Sequence, residues 1–248
     1  MLRSNHLSYP AGIGDRKVTG PPNFVKDFEP PWVYRGSVLK LNEIFFSIQG
    51  ESSQAGRPCI FVRLTGCKLR CTYCDTKYAY FEGEDVTEDE IIRRVKTFPC
   101  KLVELTGGEP LEQKEAPKLL QRLLDEGYEV LLETDGVEDL SVVPQGVRII
   151  MDVKTPGSKM ANPKSAKNLR HLKPTDEIKF VVCDEKDYLF SKDFIEQHGL
   201  AGKHTLLMSP VMPEEKIAWL PERILRDGLP VRFQVQLHKV LWGDKRGV

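Results

Sequence analysis

Charge of either sign is not in excess in this sequence, and long apolar runs are missing. The 36 Lys and Arg residues balance the 36 Asp and Glu residues, so no basic surface for a nucleic acid is expected. No apolar stretch is long enough to span a bilayer, and the first residues lack the apolar core of a signal peptide. These features predict a soluble cytoplasmic protein with neither a nucleic-acid nor a membrane partner.

Cysteine is scarce, and half of it falls in one short stretch. Of six cysteines, Cys67, Cys71 and Cys74 are spaced C-x3-C-x2-C. An odd number of closely spaced cysteines cannot all pair as disulfides. A closed zinc site needs a fourth ligand, but the nearest downstream histidine is His171, and Cys100 lies beyond a predicted helix. Thiolates select zinc, Cu(I) or iron–sulfur clusters, and a four-iron cluster on three cysteines keeps one iron open to a small molecule.

Residues 1–38 are predicted to form an irregular or disordered extension. This stretch is rich in Gly, Pro, Asn and Ser, and no hydrophobic period is sustained in it. From Leu39 onward strand and helix patterns alternate, so residues 39–248 are assigned to one domain.

The alternation predicts βαβ units and a parallel sheet with right-handed crossovers. The predicted strands cover residues 39–46, 59–64, 101–105, 128–133, 147–153, 177–183, 204–208 and 231–237. The predicted helices cover residues 88–96, 114–126, 165–172, 186–198 and 214–226. About six units fall short of the eight in a closed TIM barrel, so a partial TIM-like barrel is expected, with a doubly wound flat sheet as the alternative. Ligands would bind at the carboxyl ends of the strands in either case.

Polar motifs follow several of the predicted strands. Residues 106–110 (TGGEP) carry two glycines that permit close backbone approach to a ligand, and a glutamate that suits an amine. An ordinary strand-to-helix turn would explain them as well. Residues 133–136 (ETDG), 152–154 (DVK) and 208–211 (MSPV) follow later strands and are candidates for the same pocket.

The cysteine stretch and the GGE of residues 107–109 together resemble the radical S-adenosylmethionine (SAM) superfamily. The resemblance implies a partial barrel of that type, a 4Fe–4S cluster on Cys67, Cys71 and Cys74, and SAM at the open iron. SAM would be cleaved to methionine and a 5′-deoxyadenosyl radical, which leaves no side chain with a catalytic role. The implied SAM contacts are Tyr73, Cys74, Asp75, Gly108, Glu109, Asp152, Val153, Lys154, Met208, Ser209, Pro210 and Val211.

Three further motifs resemble the 7-carboxy-7-deazaguanine synthase family: residues 46–51 (FSIQGE), residues 74–76 (CDT), and residues 236–239 (QLHK) followed by LWG. The resemblance covers about Leu39 to Val248. It implies a carbon–nitrogen lyase of queuosine biosynthesis that converts 6-carboxy-5,6,7,8-tetrahydropterin to 7-carboxy-7-deazaguanine with loss of ammonia. The family often has Ser-Pro-Lys at residues 152–154 and Ser at Asp135, so this chain departs from it where SAM ribose would be contacted.

The family resemblance also implies a set of substrate contacts. Arg63 is expected to hold the pterin carboxylate in a bidentate pair, and the Thr76 hydroxyl to bind Mg2+, with loop capping as its alternative role. The full set of substrate contacts is Ile48, Gln49, Gly50, Glu51, Arg63, Thr106, Glu133, His238 and Val248.

The resemblance further implies an external one-electron donor such as flavodoxin, and a homodimer. Two other functions stay open. One is a radical SAM activase that installs a glycyl radical on a partner enzyme, which would need an open channel for a protein loop. The other is a non-enzymatic iron–sulfur or zinc module, which has no need for glycine-rich loops at successive strand ends.

Overall fold

The computed structural model describes residues 37–211 and 217–248. The predicted extension over residues 1–38 lies outside the described residues, apart from its last two positions. The described strands are β1 (Val38–Ile48), β2 (Pro58–Leu64), β3 (Glu84–Thr87), β4 (Leu102–Gly107), β5 (Glu129–Thr134), β6 (Arg148–Asp152), β7 (Glu177–Val182), β8 (Thr205–Pro210) and β9 (Arg232–Phe233). The described α-helices are α1 (Glu88–Val95), α2 (Ala116–Asp125), α3 (Lys164–Asn168), α4 (Glu185–Gln197), α5 (Trp219–Asp227) and α6 (Leu237–Trp242).

These strands form one sheet in the order β3-β1-β2-β4-β5-β6-β7-β8-β9. Strand β2 and strands β4 to β9 pair in parallel. Strand β1 runs antiparallel to both of its neighbours, β2 and β3. Within the described residues the two edge strands do not pair with each other, so the sheet stays open. The predicted α/β class and partial barrel are therefore confirmed, and no helix in this part of the chain is long and apolar enough to cross a membrane.

Alternation along the strands separates the core from the interior of the barrel. On β2, Ile60, Val62 and Leu64 join the large apolar cluster that α1 and α2 cover. Cys59 and Phe61 point to the opposite face, where they pack in a smaller apolar cluster with strand residues of β4, β5 and β6. Burying such a side chain fully stabilises the fold by about 1.5–3 kcal/mol. The interior face of the barrel thus holds a small apolar cluster of its own, separate from the large core.

Capping residues set the helix limits where the sequence predicts them. The Thr87 side chain accepts a hydrogen bond from Glu90 N at 3.3 Å, which begins α1. Asp184 does the same for α4, accepting from Asp187 N at 3.1 Å. Helix α5 ends at Gly228, whose φ of 59° is in the left-handed region that favours glycine.

The structure corrects the prediction at the C-terminal end. The strand expected over residues 231–237 is reduced to the two residues of β9, and a helix that was not predicted, α6, follows. Leu237 N donates to Gly50 O at 3.0 Å, so the chain leaves the sheet edge to contact the turn after β1. The short strand β3 was also not predicted. The helix expected over residues 214–226 begins at Trp219, and residues 212–216 lie outside the described residues.

Candidate active site

The turn after β1 (residues 49–51) enters the barrel at the amino ends of the parallel strands, opposite to their carboxyl ends. Because β1 is antiparallel to β2, residues 49–51 lie beside the start of β2 and not at the carboxyl ends of the parallel strands. The turn nevertheless reaches the interior, where Gln49 Nε2 donates to the Glu104 carboxylate of β4, and Lys179 Nζ of β7 lies 2.8 Å from Glu51 Oε2. The expectation that ligands bind at the carboxyl ends of the strands does not account for this turn, which reaches the interior from the opposite ends.

A cavity of about 370 Å³ lies between this turn, the strand ends, the cysteine loop and the C-terminal segment. It brings together the three cysteines, Thr76, all nine residues expected to contact substrate, and nine of the twelve expected to contact SAM. The predicted motifs, which are spread over 200 residues of sequence, therefore share one space.

Three of the predicted SAM contacts do not line this cavity. Val153 and Met208 are 1% and 0% exposed in the apolar cluster, since the strand alternation turns their side chains outward. Glu109 is 1% exposed, and its carboxylate accepts hydrogen bonds from Leu111 N, Thr134 Oγ1 and Asp135 N at 3.0, 2.9 and 2.6 Å. The Glu109 side chain thus fixes the end of β5, and none of these three side chains faces the cavity.

The two glycines at the end of β4, Gly107 and Gly108, are required because the backbone that leads into the cysteine loop packs against them. A Cβ on Gly108 would lie 2.0 Å from Gly66 O, and one on Gly107 would lie 2.4 Å from Leu64 O. Instead Glu109 N donates to Gly66 O at 2.7 Å, and Gly108 N donates to Leu64 O at 3.1 Å. The GGE stretch and the entry to the cysteine loop are thereby held against each other.

The cysteine loop carries three free thiols at the cavity wall. Burial raises the pKa of Cys67 to about 12 and also raises the pKa of Cys71, so metal binding must displace thiol protons. Among the described residues, no three His, Cys, Asp or Glu side chains converge to hold a single metal ion. A four-iron cluster gives each thiolate its own iron, so three thiols on one loop at the cavity wall suit such a cluster in their chemistry.

Polar atoms without a protein partner lie at the expected SAM side of the cavity. Tyr73 OH, Asp152 Oδ1 and Ser209 Oγ are buried and have no hydrogen-bond partner within the described residues. Asp152 Oδ2 is instead engaged by Lys154 Nζ at 2.7 Å. Because buried polar atoms are normally paired, these three atoms fit a ligand that offers hydroxyl and amine groups, as SAM does.

Thr76 begins the 3-10 turn Lys77–Tyr80, but its side chain makes no capping hydrogen bond. Its hydroxyl lies 3.8 Å from Cys74 Sγ and faces the cavity. The capping role considered from sequence is therefore not what its side chain does, and the oxygen is accessible to a cavity ligand.

Two buried charged residues at the site were missed by the sequence interpretation. Lys179 is 4% exposed and Glu104 is 3% exposed, and both line the cavity. Burial raises the pKa of Glu104 well above its usual range, and the neighbouring Glu133 and Glu51 raise it further. A charged residue within an otherwise apolar parallel strand, as in LVELTG and EIKFVV, is the signal that would have located them.

The expected substrate side is lined by Arg63 and the C-terminal segment. Arg63 Nε donates to Glu43 Oε1 at 2.9 Å, while no protein acceptor in residues 37–211 or 217–248 engages either Nη atom. The His238 ring lies against Gly50, where a Cβ would be 2.1 Å from Nδ1. Gln236 Nε2 donates to Glu51 Oε1 at 2.8 Å, and Lys239 Nζ lies 2.9 Å from Asp75 Oδ2.

The fold and this site define a radical SAM protein. The family profile described as the Radical SAM superfamily matches residues 61–179, which include the cysteine loop and the GGE stretch. The crystal structure of QueE from Escherichia coli is similar in fold, with a TM-score of 0.66 over 81% of this chain and 95% of that one, at 20% identity.

Closer sequence relatives identify the family. A 7-carboxy-7-deazaguanine synthase of Koribacter versatilis is 43% identical over 223 residues, covering 82% of this chain and 97% of the relative. That of Chlorobaculum tepidum is 47% identical over 214 residues, covering 85% and 97%. The chain belongs to the 7-carboxy-7-deazaguanine synthase family.

Proposed function

We propose that the chain is a radical SAM lyase that converts 6-carboxy-5,6,7,8-tetrahydropterin to 7-carboxy-7-deazaguanine with loss of ammonia, in queuosine biosynthesis. The observation that carries this proposal is the meeting of residues 49–51 with residues 236–239 inside the cavity that the cysteine loop lines. These two motifs distinguish the family from other radical SAM proteins, and here they form one wall of a small-molecule site.

Recognition of the pterin follows from the polar groups on that wall and on the strand ends. Glu51 and Glu133 are acceptors for the N–H groups of the bicycle, and Gln49, Thr106 and His238 supply further polar contacts. A guanidinium can donate two parallel hydrogen bonds from its Nη atoms to a carboxylate. Arg63 is proposed to bind the pterin carboxylate in this way. The remaining cavity contacts to substrate are proposed from Ile48, Gly50 and the C-terminal Val248.

Membership of the radical SAM family implies a 4Fe–4S cluster and SAM as cofactors. Cys67, Cys71 and Cys74 would hold the cluster, and Tyr73, Asp152 and Ser209 offer unpaired atoms to SAM. When bound, cluster and SAM supply the electron and the hydrogen-abstracting radical that start the rearrangement. The chain's own part is to orient the pterin beside SAM and to exclude water, since the cofactor carries the difficult chemistry.

Three further features belong to the same proposal. Mg2+ would bind the Thr76 hydroxyl together with substrate and water oxygens, as Mg2+ prefers oxygen ligands and keeps several waters. The cluster would be reduced by an external one-electron donor such as flavodoxin. The enzyme would work in the cytoplasm as a homodimer, and reduced thiols are consistent with that compartment.

The test is anaerobic reconstitution with iron and sulfide, followed by incubation with SAM, a reductant and the carboxypterin. We expect four irons per chain, a product with the mass of 7-carboxy-7-deazaguanine, and ammonia in equal amount. Iron loading and SAM cleavage without this product would leave a radical SAM enzyme but exclude this substrate. Stoichiometric zinc without iron would indicate the non-enzymatic module.

A further inference from the structure

Lys179 is a buried cation at the centre of the cavity's acidic groups. Its ammonium lies 2.8 Å from Glu51 Oε2, is hydrogen-bonded to Glu133 Oε1, and lies 3.7 Å from Asp152 Oδ2. These carboxylates come from three different elements: the turn after β1, then β5, then β6. The Lys179 side chain thus links three elements that lie apart in sequence but line the same cavity.

The distribution of cations indicates which carboxylates depend on Lys179. Asp152 already pairs with Lys154 at 2.7 Å. For Glu51 and for Glu133, Lys179 is the single cationic side chain within salt-bridge distance among residues 37–211 and 217–248. A buried ion network of this kind is weak evidence for a contribution to stability, because an apolar replacement is often as stable. The two carboxylates that depend on Lys179 are also the two proposed to contact substrate.

We propose that Lys179 is a positioning residue for substrate recognition, which holds Glu51 and Glu133 together as ionised hydrogen-bond acceptors for the N–H groups of the pterin. This inference rests on the function proposed above. An ionised carboxylate only accepts hydrogen bonds, whereas a protonated one presents an O–H donor to the substrate's own N–H donors. Lys179 therefore acts through the two glutamates, without a contact of its own to the reacting atoms.

The proposed role requires an ionised Glu51, and the surroundings of Glu51 lower its pKa. Burial alone would raise the pKa of Glu51, but the charge and hydrogen bond of Lys179 and the hydrogen bond of Gln236 lower it below its usual range. Without Lys179 only weaker opposing contacts remain, so Glu51 would take up a proton at higher pH. The other charged or titratable groups that face this cluster are Arg63 of β2, Glu104 of β4, Asp152 of β6 and Lys154 just after it, Asp75 of the cysteine loop, and His238 and Lys239 of α6.

The experiment compares Lys179→Met with Lys179→Arg and the wild type, all as cluster-loaded enzyme. For Lys179→Met we expect KM for the carboxypterin to rise by at least about tenfold at pH 7, and the acidic limb of kcat/KM to move up by about one pH unit or more. Calorimetric titration with the carboxypterin should show the same loss of affinity and the same pH shift. Lys179→Arg keeps the charge and should recover part of both.

Lys192→Met is the matched control, since it removes a lysine that pairs with Asp227 at 3.1 Å on the outer helices. It should leave KM and the pH profile as in the wild type. Lys179→Met is also made in a Glu51→Gln background, where removal of one carboxylate relieves the charge imbalance and guards against poor folding. Compared with Glu51→Gln alone, the added Lys179→Met should raise KM by far less than the about tenfold expected in the wild-type background.

A wild-type acidic limb and a wild-type KM in Lys179→Met would overturn the positioning role. An undiminished effect of Lys179→Met on KM in the Glu51→Gln background would also overturn it. Failure of the proposed function is distinguishable, because the wild-type enzyme itself would then neither bind nor convert the carboxypterin.

Discussion

Glu43 holds the Arg63 side chain in position for a ligand. Glu43 accepts from Arg63 Nε, from Tyr78 OH at 3.0 Å and from Arg246 Nε at 3.1 Å. Burial alone would raise the pKa of Glu43, but Arg63 and its other partners lower it, so the carboxylate stays ionised. The guanidinium plane is fixed by its Nε, which leaves the Nη edge to face the cavity.

We therefore expect Arg63→Ala to lose most carboxypterin turnover, because removing a desolvated charged contact costs about 2–5 kcal/mol. Arg63→Lys should recover only part of it, since an ammonium cannot form the paired contact. SAM affinity and product formation are measured side by side on each variant. Normal turnover by Arg63→Ala, or a selective loss of SAM binding, would contradict the placement of the pterin carboxylate.

The hydroxyl of Thr76 gives a second prediction at this scale. Its side chain makes no capping hydrogen bond, so Thr76→Val removes the oxygen without weakening the start of the turn Lys77–Tyr80. We expect lower turnover and a weaker response to added Mg2+, with the cluster absorption spectrum unchanged. Thr72→Val is the control, because that hydroxyl also lies in the cysteine loop but donates to Gly157 O at 2.9 Å. A wild-type Mg2+ dependence in Thr76→Val would count against the magnesium site.

At the scale of elements, the sequence predicted the strands and helices that are determined by their own residues. The strands β2, β4 and β5 and the helices α1 and α2 follow from apolar periodicity and capping residues. Helix α6 did not, because its six residues are too few to be stable alone and its Ncap residue Gln236 makes no side-chain hydrogen bond. Its formation depends on Gly50, which is distant in sequence, and no pattern within residues 231–242 contains that information.

The contact between α6 and the turn after β1 predicts the effect of Gly50→Ala. A methyl group would meet His238 Nδ1 at 2.1 Å and the His238 backbone N at 3.1 Å, so α6 must move away. We expect a higher KM for the carboxypterin while SAM is still cleaved, as measured by deoxyadenosine release. Gly228→Ala strains a left-handed position at the end of α5, where no described residue, apart from its chain neighbours and the backbone of its own helix, lies within 4 Å of the new methyl. That control should lose stability, measured by thermal unfolding, and keep its KM.

At the scale of the whole molecule, the sequence located the cysteines and the strand-end motifs because each is a continuous stretch. It did not reveal that Glu104 and Lys179 face the same space, since that depends on the register of strands far apart in sequence. It also did not reveal that residues 49–51 enter the cavity beside the start of β2, because the direction of β1 is a property of sheet pairing. The alternation of side chains then decided which predicted contacts point inward and which, like Val153 and Met208, point into the core.

The open sheet leaves one side of the cavity to be covered by the C-terminal segment, and Arg246 fastens that segment. Its guanidinium contacts Glu43, Glu82 and Asn42 at 3.1, 3.0 and 3.0 Å, and lies 3.9 Å from the centroid of the Tyr78 ring. Exposed ion pairs typically contribute only about 0–1 kcal/mol each, so Arg246→Ala should change the melting temperature little.

Its effect should appear in binding, because Val248 would no longer be held at the cavity wall. We expect Arg246→Ala to raise KM for the carboxypterin and to leave SAM binding to the cluster unchanged. Arg93→Ala removes an exposed ion pair with Glu90 within α1 and should leave KM unchanged. Equal KM values for the two variants would mean that the C-terminal segment closes the cavity without Arg246, and that the hydrogen bonds of α6 to the turn after β1 are sufficient.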